Sequence, residues 1–225
     1  MSADKELFKT VRDNLYTAVI GDVLDVAGLT HQFLPPNIRA LFPDQILVGR
    51  AMPVLEANST GTQIGHSGKS EPFGLMFRAL DALQPGDIYI TTGCTPNFAL
   101  WGGLMSQRAH SLGAQGAILD GYHRDTREIL NLKFPVFSHG SYAQDQQLRG
   151  RVIDFRCSIE FGNGARVDPG DLIVGDIDGV VIVPKAHVGD IIAEALKKVA
   201  GEDAVRDMIL KGGSTQDIFD KTGIM

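Results

Sequence analysis

Apolar residues recur at helical spacing near the start of the chain, at Phe8, Val11, Leu15 and Val19, and continue through Ile20, Val23, Leu24 and Ala27 until Gly28. Positions three and four apart share one helix face, so one or two amphipathic helices are expected over about residues 5–28. Pro35, Pro36 and Pro43 then interrupt regular structure, and Ile46 to Leu55 reads as a strand. After a polar, glycine-containing loop from Asn58 to Ser70, the residues Phe73, Met76, Phe77, Leu80 and Leu83 form another helical face. Pro85-Gly86-Asp87 turns the chain into a strand at Ile88 to Thr92.

The next segment combines two signals. Gly102 and Gly103 stand where a helix should begin; Leu104, Ala109 and Leu112 give that helix a modest apolar face, and Gly113 is its stop. Gly116 to Leu119 reads as a short buried strand, and Pro135 to Ser138 as another. From Val152 to Phe161 apolar residues alternate with Asp154, Arg156, Ser158 and Glu160, the pattern of one half-buried strand. Gly162-Asn163-Gly164 makes a hairpin turn; Leu172 to Val174 and Val180 to Val183 are two more strands. Ile191, Ile192, Ala195, Leu196 and Val199 define a helix continued past Gly201, with helical structure expected over about 187–221 and Ser214 and Asp217 as a capping box. Helices and strands in this succession predict a mixed α/β fold, and the 225 residues are read as a single domain, 1–225.

Composition narrows the function. A net charge of −6 without Lys/Arg clusters argues against a nucleic-acid surface. Cys94 and Cys157 lack zinc or disulfide spacing, which fits a reducing cytoplasm, and the N-terminal segment has no long apolar run to suggest a membrane span or signal peptide. Gly68-Lys69-Ser70 is no phosphate-binding loop, because Gln63 stands where the first glycine is required. The Asp176-Ile177-Asp178-Gly179 stretch lacks the remaining ligands of a calcium loop and reads as a β-turn. No zinc-protease, serine-nucleophile or dinucleotide motif is present.

The chemistry concentrates between Trp101 and Glu128. Backbone N–H groups at the start of a helix that opens on Gly102-Gly103 form an anion site. Arg124 and Asp125, past the following strand, supply a permanent cationic fork and one hard oxygen ligand. The bland reading of the same residues is a solvated helix start with Asp125 as N-cap. His123, and His66 and Lys69 from the polar loop, are further candidates for the pocket; Trp101 is a pocket wall or core.

Gly103, twenty residues, Arg124-Asp125, two more and Glu128 resemble the Gly-x20-Arg-Asp-x2-Glu signature of the RraA-like family, which includes 4-hydroxy-4-methyl-2-oxoglutarate aldolases. Gly170 to Pro184 is similar to that family's C-terminal strand pair, and Gly201-Glu-Asp-Ala-Val-Arg206 to the helix after it, so the resemblance runs from about residue 15 to the end. It implies a swivelling β/β/α domain with a mixed sheet, assembled as a homotrimer or homohexamer. It implies that Trp101, Gly102, Gly103 and Leu104 hold a substrate carboxylate, that Arg124 contacts substrate, and that Asp125 holds Mg²⁺, Mn²⁺ or another divalent cation. The implied reaction is that of a class II pyruvate aldolase or oxaloacetate decarboxylase, releasing pyruvate from a 2-oxoacid through an enolate. Two alternatives accompany it: a non-catalytic regulator that binds a ribonuclease, and a metal-dependent hydratase or lyase of a sugar-acid-like substrate. Aldolases of the family often carry Asp where this chain has Gly103, an acid that positions water. Glu202, whose family counterpart enters the neighbouring subunit's site, is the expected replacement.

Overall fold

The computed structural model describes residues 2–60 and 72–224. Two helices open the chain, α1 (Ser2–Asn14) and α2 (Thr17–Val26), followed by the short strand β1 (Arg39–Ala40) and the long β2 (Leu47–Asn58). Next come α3 (Met76–Asp81), β3 (Asp87–Thr92), β4 (Ala99–Trp101), α4 (Gly103–Ser111), β5 (Gly116–Leu119), β6 (Tyr122–His123), α5 (Thr126–Leu132) and β7 (Val136–Ser138). The last third contains β8 (Gly150–Phe155), β9 (Ile159–Glu160), β10 (Arg166–Val167), β11 (Leu172–Asp176), β12 (Gly179–Val183), α6 (Val188–Leu210) and α7 (Thr215–Thr222).

The main sheet runs β1-β7-β5-β3-β2-β11-β12, with β8 also paired to β2. Strands β2, β3, β5 and β7 are parallel to one another, whereas β1, β8, β11 and β12 join antiparallel. The sheet curls until it nearly closes: Leu34 donates to the Val180 carbonyl and Ile182 to that of Gln32, while Arg39 and Ala40 pair with β7, so the segment 32–40 spans the gap between β12 and β7. The mixed sheet with flanking helices is the α/β class that the sequence pattern predicts, and its near closure is a feature that the pattern does not give.

Period-two alternation sorts the side chains into three cores. Leu47, Ala51, Ile88, Ile90, Ile118, Ile173 and Ile182 point inside the curled sheet. Their neighbours Val48, Leu172, Val174, Val181 and Val183 face outward beneath α1, α2 and α6. On the other outer face Met52, Tyr89, Ala117 and Leu119 meet residues of α3, α4 and α5 together with Trp101 and Phe134. The two helical layers therefore lie on different parts of the sheet, which matters for Glu202.

Three sequence expectations change. The expected helix face from Phe73 is shorter, because Phe73 takes a left-handed φ of 67° and α3 begins only at Met76. The expected strand from Val152 to Phe161 breaks into β8 and β9 at Arg156, whose φ is 54°. Its amide donates to the Pro53 carbonyl and its guanidinium to the Ala82 carbonyl and Asp87, long-range bonds that alternation cannot reveal. Leu104, counted in the apolar face of α4, is 84% exposed, so Ser106 and Ala109 carry the buried side of that helix. Among the described residues no helix is long and apolar enough to cross a membrane.

Candidate functional site

Strands β4 and β6 pair as a separate two-stranded parallel sheet that extends the carboxyl end of the β3/β5 region. Each hands its chain to a helix, so the starts of α4 and α5 lie side by side. Trp101 fixes the first. Its indole is buried, 4.9 Å from the Tyr89 ring and stacked 6.1 Å from Phe134, and Nε1 donates to Ser106 Oγ at 2.6 Å. Ser106 in turn donates to the Gly102 carbonyl at 3.1 Å, which ties the first turn of α4 to the core. The Trp101 side chain is thus core, and its carbonyl accepts from Arg124 N at 2.9 Å.

Asp125 occupies the N-cap position of α5 in a left-handed conformation, φ 57° and ψ 36°, and makes no side-chain cap bond to its own helix. Its Oδ2 accepts instead from Gly103 N at 3.0 Å, so it caps the neighbouring helix. The glycine pair follows from this packing. A Cβ on Gly102 would lie 2.7 Å from Asp125 Oδ2, and one on Gly103 would lie 2.0 Å from Glu128 Oε2. Arg124 is held between two carboxylates, with Nε 3.7 Å from Asp125 Oδ2 and Nη1 3.3 Å from Asp145 Oδ1.

These groups line one cavity of about 240 Å³ together with Gly102, Gln146 and an apolar wall of Phe73, Met76, Phe77, Leu104 and Met105. Of the residues expected at the site, Trp101, Gly102, Leu104, Arg124 and Asp125 line this cavity, and Gly103 binds Asp125 through its amide. Glu202 stands apart. It lies on α6 and accepts a hydrogen bond from the Tyr16 hydroxyl, which with burial holds the Tyr16 phenol up at about 12. Glu202 is not among the residues lining this cavity. His123 is also withdrawn: it is buried, its Nδ1 is 2.8 Å from Ser138 Oγ, and burial lowers its pKa. His66 and Lys69 fall outside the described residues.

Sequence reasoning missed Asp145 and Gln146, which come from the irregular stretch before β8 and carry no periodic or motif signal. It also missed Glu56, a buried carboxyl on β2 that accepts from Gln146 Nε2 at 2.8 Å. Among the described residues no group of three or more His, Cys, Asp or Glu side chains is placed to hold a metal. Asp125, 41% exposed at its side chain, and Asp145 nevertheless present hard oxygens to this cavity. That donor set fits a cation that keeps water and substrate oxygens as most of its ligands, as Mg²⁺ does, and does not fit tetrahedral zinc.

Residues 17–182 match the family model RraA-like, described as Aldolase/RraA. The chain belongs to the RraA-like family. It is 36% identical over 124 residues to an uncharacterised protein of Methanocaldococcus jannaschii, a match covering 54% of this chain and 57% of that relative. It is 31% identical over 191 residues to a Halalkalibacterium halodurans protein provisionally named 4-hydroxy-4-methyl-2-oxoglutarate aldolase, covering 84% of this chain and 81% of the other. The fold superposes with a TM-score of 0.75 on Streptomyces coelicolor RraAS2, described as an unusual member of the RNase ES inhibitor RraA protein family, at 21% identity over 90% of this chain and 96% of that one.

Proposed function

We propose that the protein is a divalent-cation-dependent lyase that cleaves a 2-oxoacid and releases pyruvate. The observation that carries this reading is the convergence of Arg124, Asp125 and the start of α4 on one cavity. Asp125, with Asp145 opposite, would hold the cation; bound to a 2-oxoacid, the cation would serve as a Lewis acid that draws electrons from the breaking C–C bond. Arg124 supplies a guanidinium aimed into the same space, able to pair with the substrate carboxylate or with the oxygen on which charge develops. The amides of the first turn of α4 beyond Gly103, whose own N–H is taken by Asp125, add a second anion-binding element. Asp145 keeps Arg124 from folding onto Asp125 alone, so both carboxylates share the guanidinium.

The apolar wall refines the substrate. Arg124 is the one cation lining the cavity among the described residues, and the space beyond it is bounded by Phe73, Met76, Phe77, Leu104 and Met105. Burying a second carboxylate against such a wall would cost desolvation without a partner charge. A 4-hydroxy-2-oxoacid with an apolar 4-substituent therefore fits better than a dicarboxylate. The test is pyruvate release from 4-hydroxy-2-oxoacids with apolar and with carboxylate tails, and from oxaloacetate, with Mg²⁺ or Mn²⁺ and then with chelator. Chelator-sensitive release is expected. No pyruvate from any of these acids would overturn the reading and turn attention to a protein-binding role.

A further inference from the structure

Behind the cavity wall lies a carboxyl group that the proposed chemistry does not use. Glu56, near the end of β2, is 1% exposed; its Oε2 accepts from Gln146 Nε2 at 2.8 Å, and its Oε1 has no partner. Glu56 continues the buried face of Met52 and Val54 along β2, and the β2/β8 register shift between Leu55 and Glu56 falls on the partner strand, where Ile153 is the extra residue. Gln146, itself 2% exposed, is part of the cavity lining, and the residue before it, Asp145, makes the ion pair with Arg124. The stretch is pinned from behind as well. The Gln146 carbonyl accepts from the amides of Arg149 and Gly150, and Ala99 of β4 bridges to Asp145.

We propose that Glu56 is a positioning residue for the site: buried behind the wall, it anchors Gln146 and thereby sets Asp145 against Arg124. The inference rests on the cavity being the functional site. The groups facing Glu56 are the Tyr89 hydroxyl from β3, buried and unpartnered, the Cys94 thiol from the loop after β3, and the Gln146 amide. None is a cation. Arg151, the nearest cation along the paired strand, is opposite Ala57 and so belongs to the other face of the β2–β8 pair. An ionised carboxylate here would have one amide donor and no counter-charge, so burial favours the protonated form and pushes the group up to about 8. Tyr89 and Cys94 are pushed up by the same burial and by Glu56 itself, with Cys94 reaching about 12. A charge forced onto Glu56 on the alkaline side is relieved by movement toward water. That movement carries Gln146, and the Asp145–Arg124 pair, out of place.

Two substitutions separate the parts. Glu56→Gln keeps an oxygen acceptor for Gln146 and cannot ionise; Glu56→Leu keeps comparable bulk and removes the acceptor. The probes are oxalate, titrated in the presence of Mg²⁺ between pH 6 and 9, and the side-chain Nε signal of Arg124 by NMR. In the wild type, oxalate affinity should fall about tenfold per pH unit above pH 8, and the Arg124 signal should shift with the same midpoint. Glu56→Gln should keep the neutral-pH affinity and lose both pH responses, whereas Glu56→Leu should bind oxalate at least about tenfold more weakly at every pH. An unmoved Arg124 signal in Glu56→Leu, or an unchanged alkaline response in Glu56→Gln, overturns the inference. Failure of the wild type to bind oxalate at any pH would count against the functional reading of the cavity, and the Arg124 signal would still decide whether Glu56 positions it.

Discussion

Glu128 occupies the space that a side chain on Gly103 would need: a Cβ built there falls 2.0 Å from Glu128 Oε2 and 3.1 Å from its Cβ. A side chain at position 103 therefore has to push the Glu128 carboxylate aside, and the neighbouring helix favours glycine at the start of α4. An acid at 103 would have to displace one already lying above it.

Gly103→Ala should accordingly lower stability by ~1–2 kcal/mol, the usual range for overpacking relieved by a side-chain shift. Gly103→Asp should cost more, because it adds a third carboxylate beside Asp125 and Glu128. Denaturant unfolding of both variants, alone and combined with Glu128→Ala, checks this. The Ala pair should couple by about 0.5 kcal/mol or more, since removing Glu128 frees the space. Additive effects would place the clash elsewhere.

Asp125 combines a left-handed backbone with the carboxylate proposed to hold the cation, so the choice of substitution decides what is learned. Ala at φ 57° would pay ~1 kcal/mol for the left-handed conformation, whereas Asn tolerates it and still accepts from Gly103 N. Asp125→Asn should leave the unfolding midpoint nearly unchanged and lower cation-dependent turnover at least about a hundredfold, ~2.7 kcal/mol of barrier. Near-normal turnover in that variant would remove Asp125 from cation binding.

Arg124→Lys should lose about 10²- to 10³-fold in kcat/KM, because an ammonium cannot bridge Asp125 and Asp145 while also presenting a fork to the substrate. A loss below about tenfold would put Arg124 outside the reacting centre.

Much of this arrangement was legible in the sequence, for a physical reason. The central strands read as short continuous apolar runs because both of their faces are covered: one set of side chains fills the interior of the sheet, as Ile88 and Ile90 do, while the other meets helices, as Tyr89 does. The Arg124-Asp125 pair stood out only through its resemblance to the RraA-like signature, since its spacing alone read equally as a helix start, and the hydrogen bond from Gly103 N to Asp125 joins the two ends of that signature. What escaped is carried by contacts between distant segments. Arg156 breaks a strand through Ala82 and Asp87, Asp145 reaches Arg124 from an irregular stretch, and Glu56 is buried because Gln146, ninety positions away, supplies its amide. No local periodicity encodes any of these.

The buried acid also has a signature in stability. Burial raises Glu56 from its ordinary 4.5 to about 8, so between those values the folded chain holds a proton that the unfolded chain has released. Stability must then fall as pH rises through that window, by up to about 1.4 kcal/mol per unit for this one group. Glu56→Gln should be more stable than the wild type at pH 8 by a few kcal/mol at most, and should lack this fall. Denaturant midpoints at pH 5, 6.5 and 8 measure it; parallel curves for the two proteins would mean that Glu56 titrates normally.

Glu202, the acid expected at the site, sits on α6. Within its own chain Glu202 is engaged by the Tyr16 hydroxyl and belongs to the helical layer over β11 and β12, whereas Arg124 and Asp125 stand at the starts of α4 and α5. If Glu202 handles a proton in the reaction, it can do so only from a second copy of the chain, and Tyr16 then acts as its hydrogen-bond donor rather than as its competitor. Glu202→Gln should lower kcat with little change in cation affinity. Tyr16→Phe should reproduce part of that loss, because a carboxylate deprived of its donor is less well oriented. Mixing inactive Asp125→Asn chains with inactive Glu202→Gln chains should restore activity in mixed oligomers, since some sites then combine an intact Asp125 from one chain with an intact Glu202 from another. Verified subunit exchange without recovery would confine each site to one chain, and unchanged kinetics in Glu202→Gln would leave the Tyr16–Glu202 pair as a link between α6 and the start of α2.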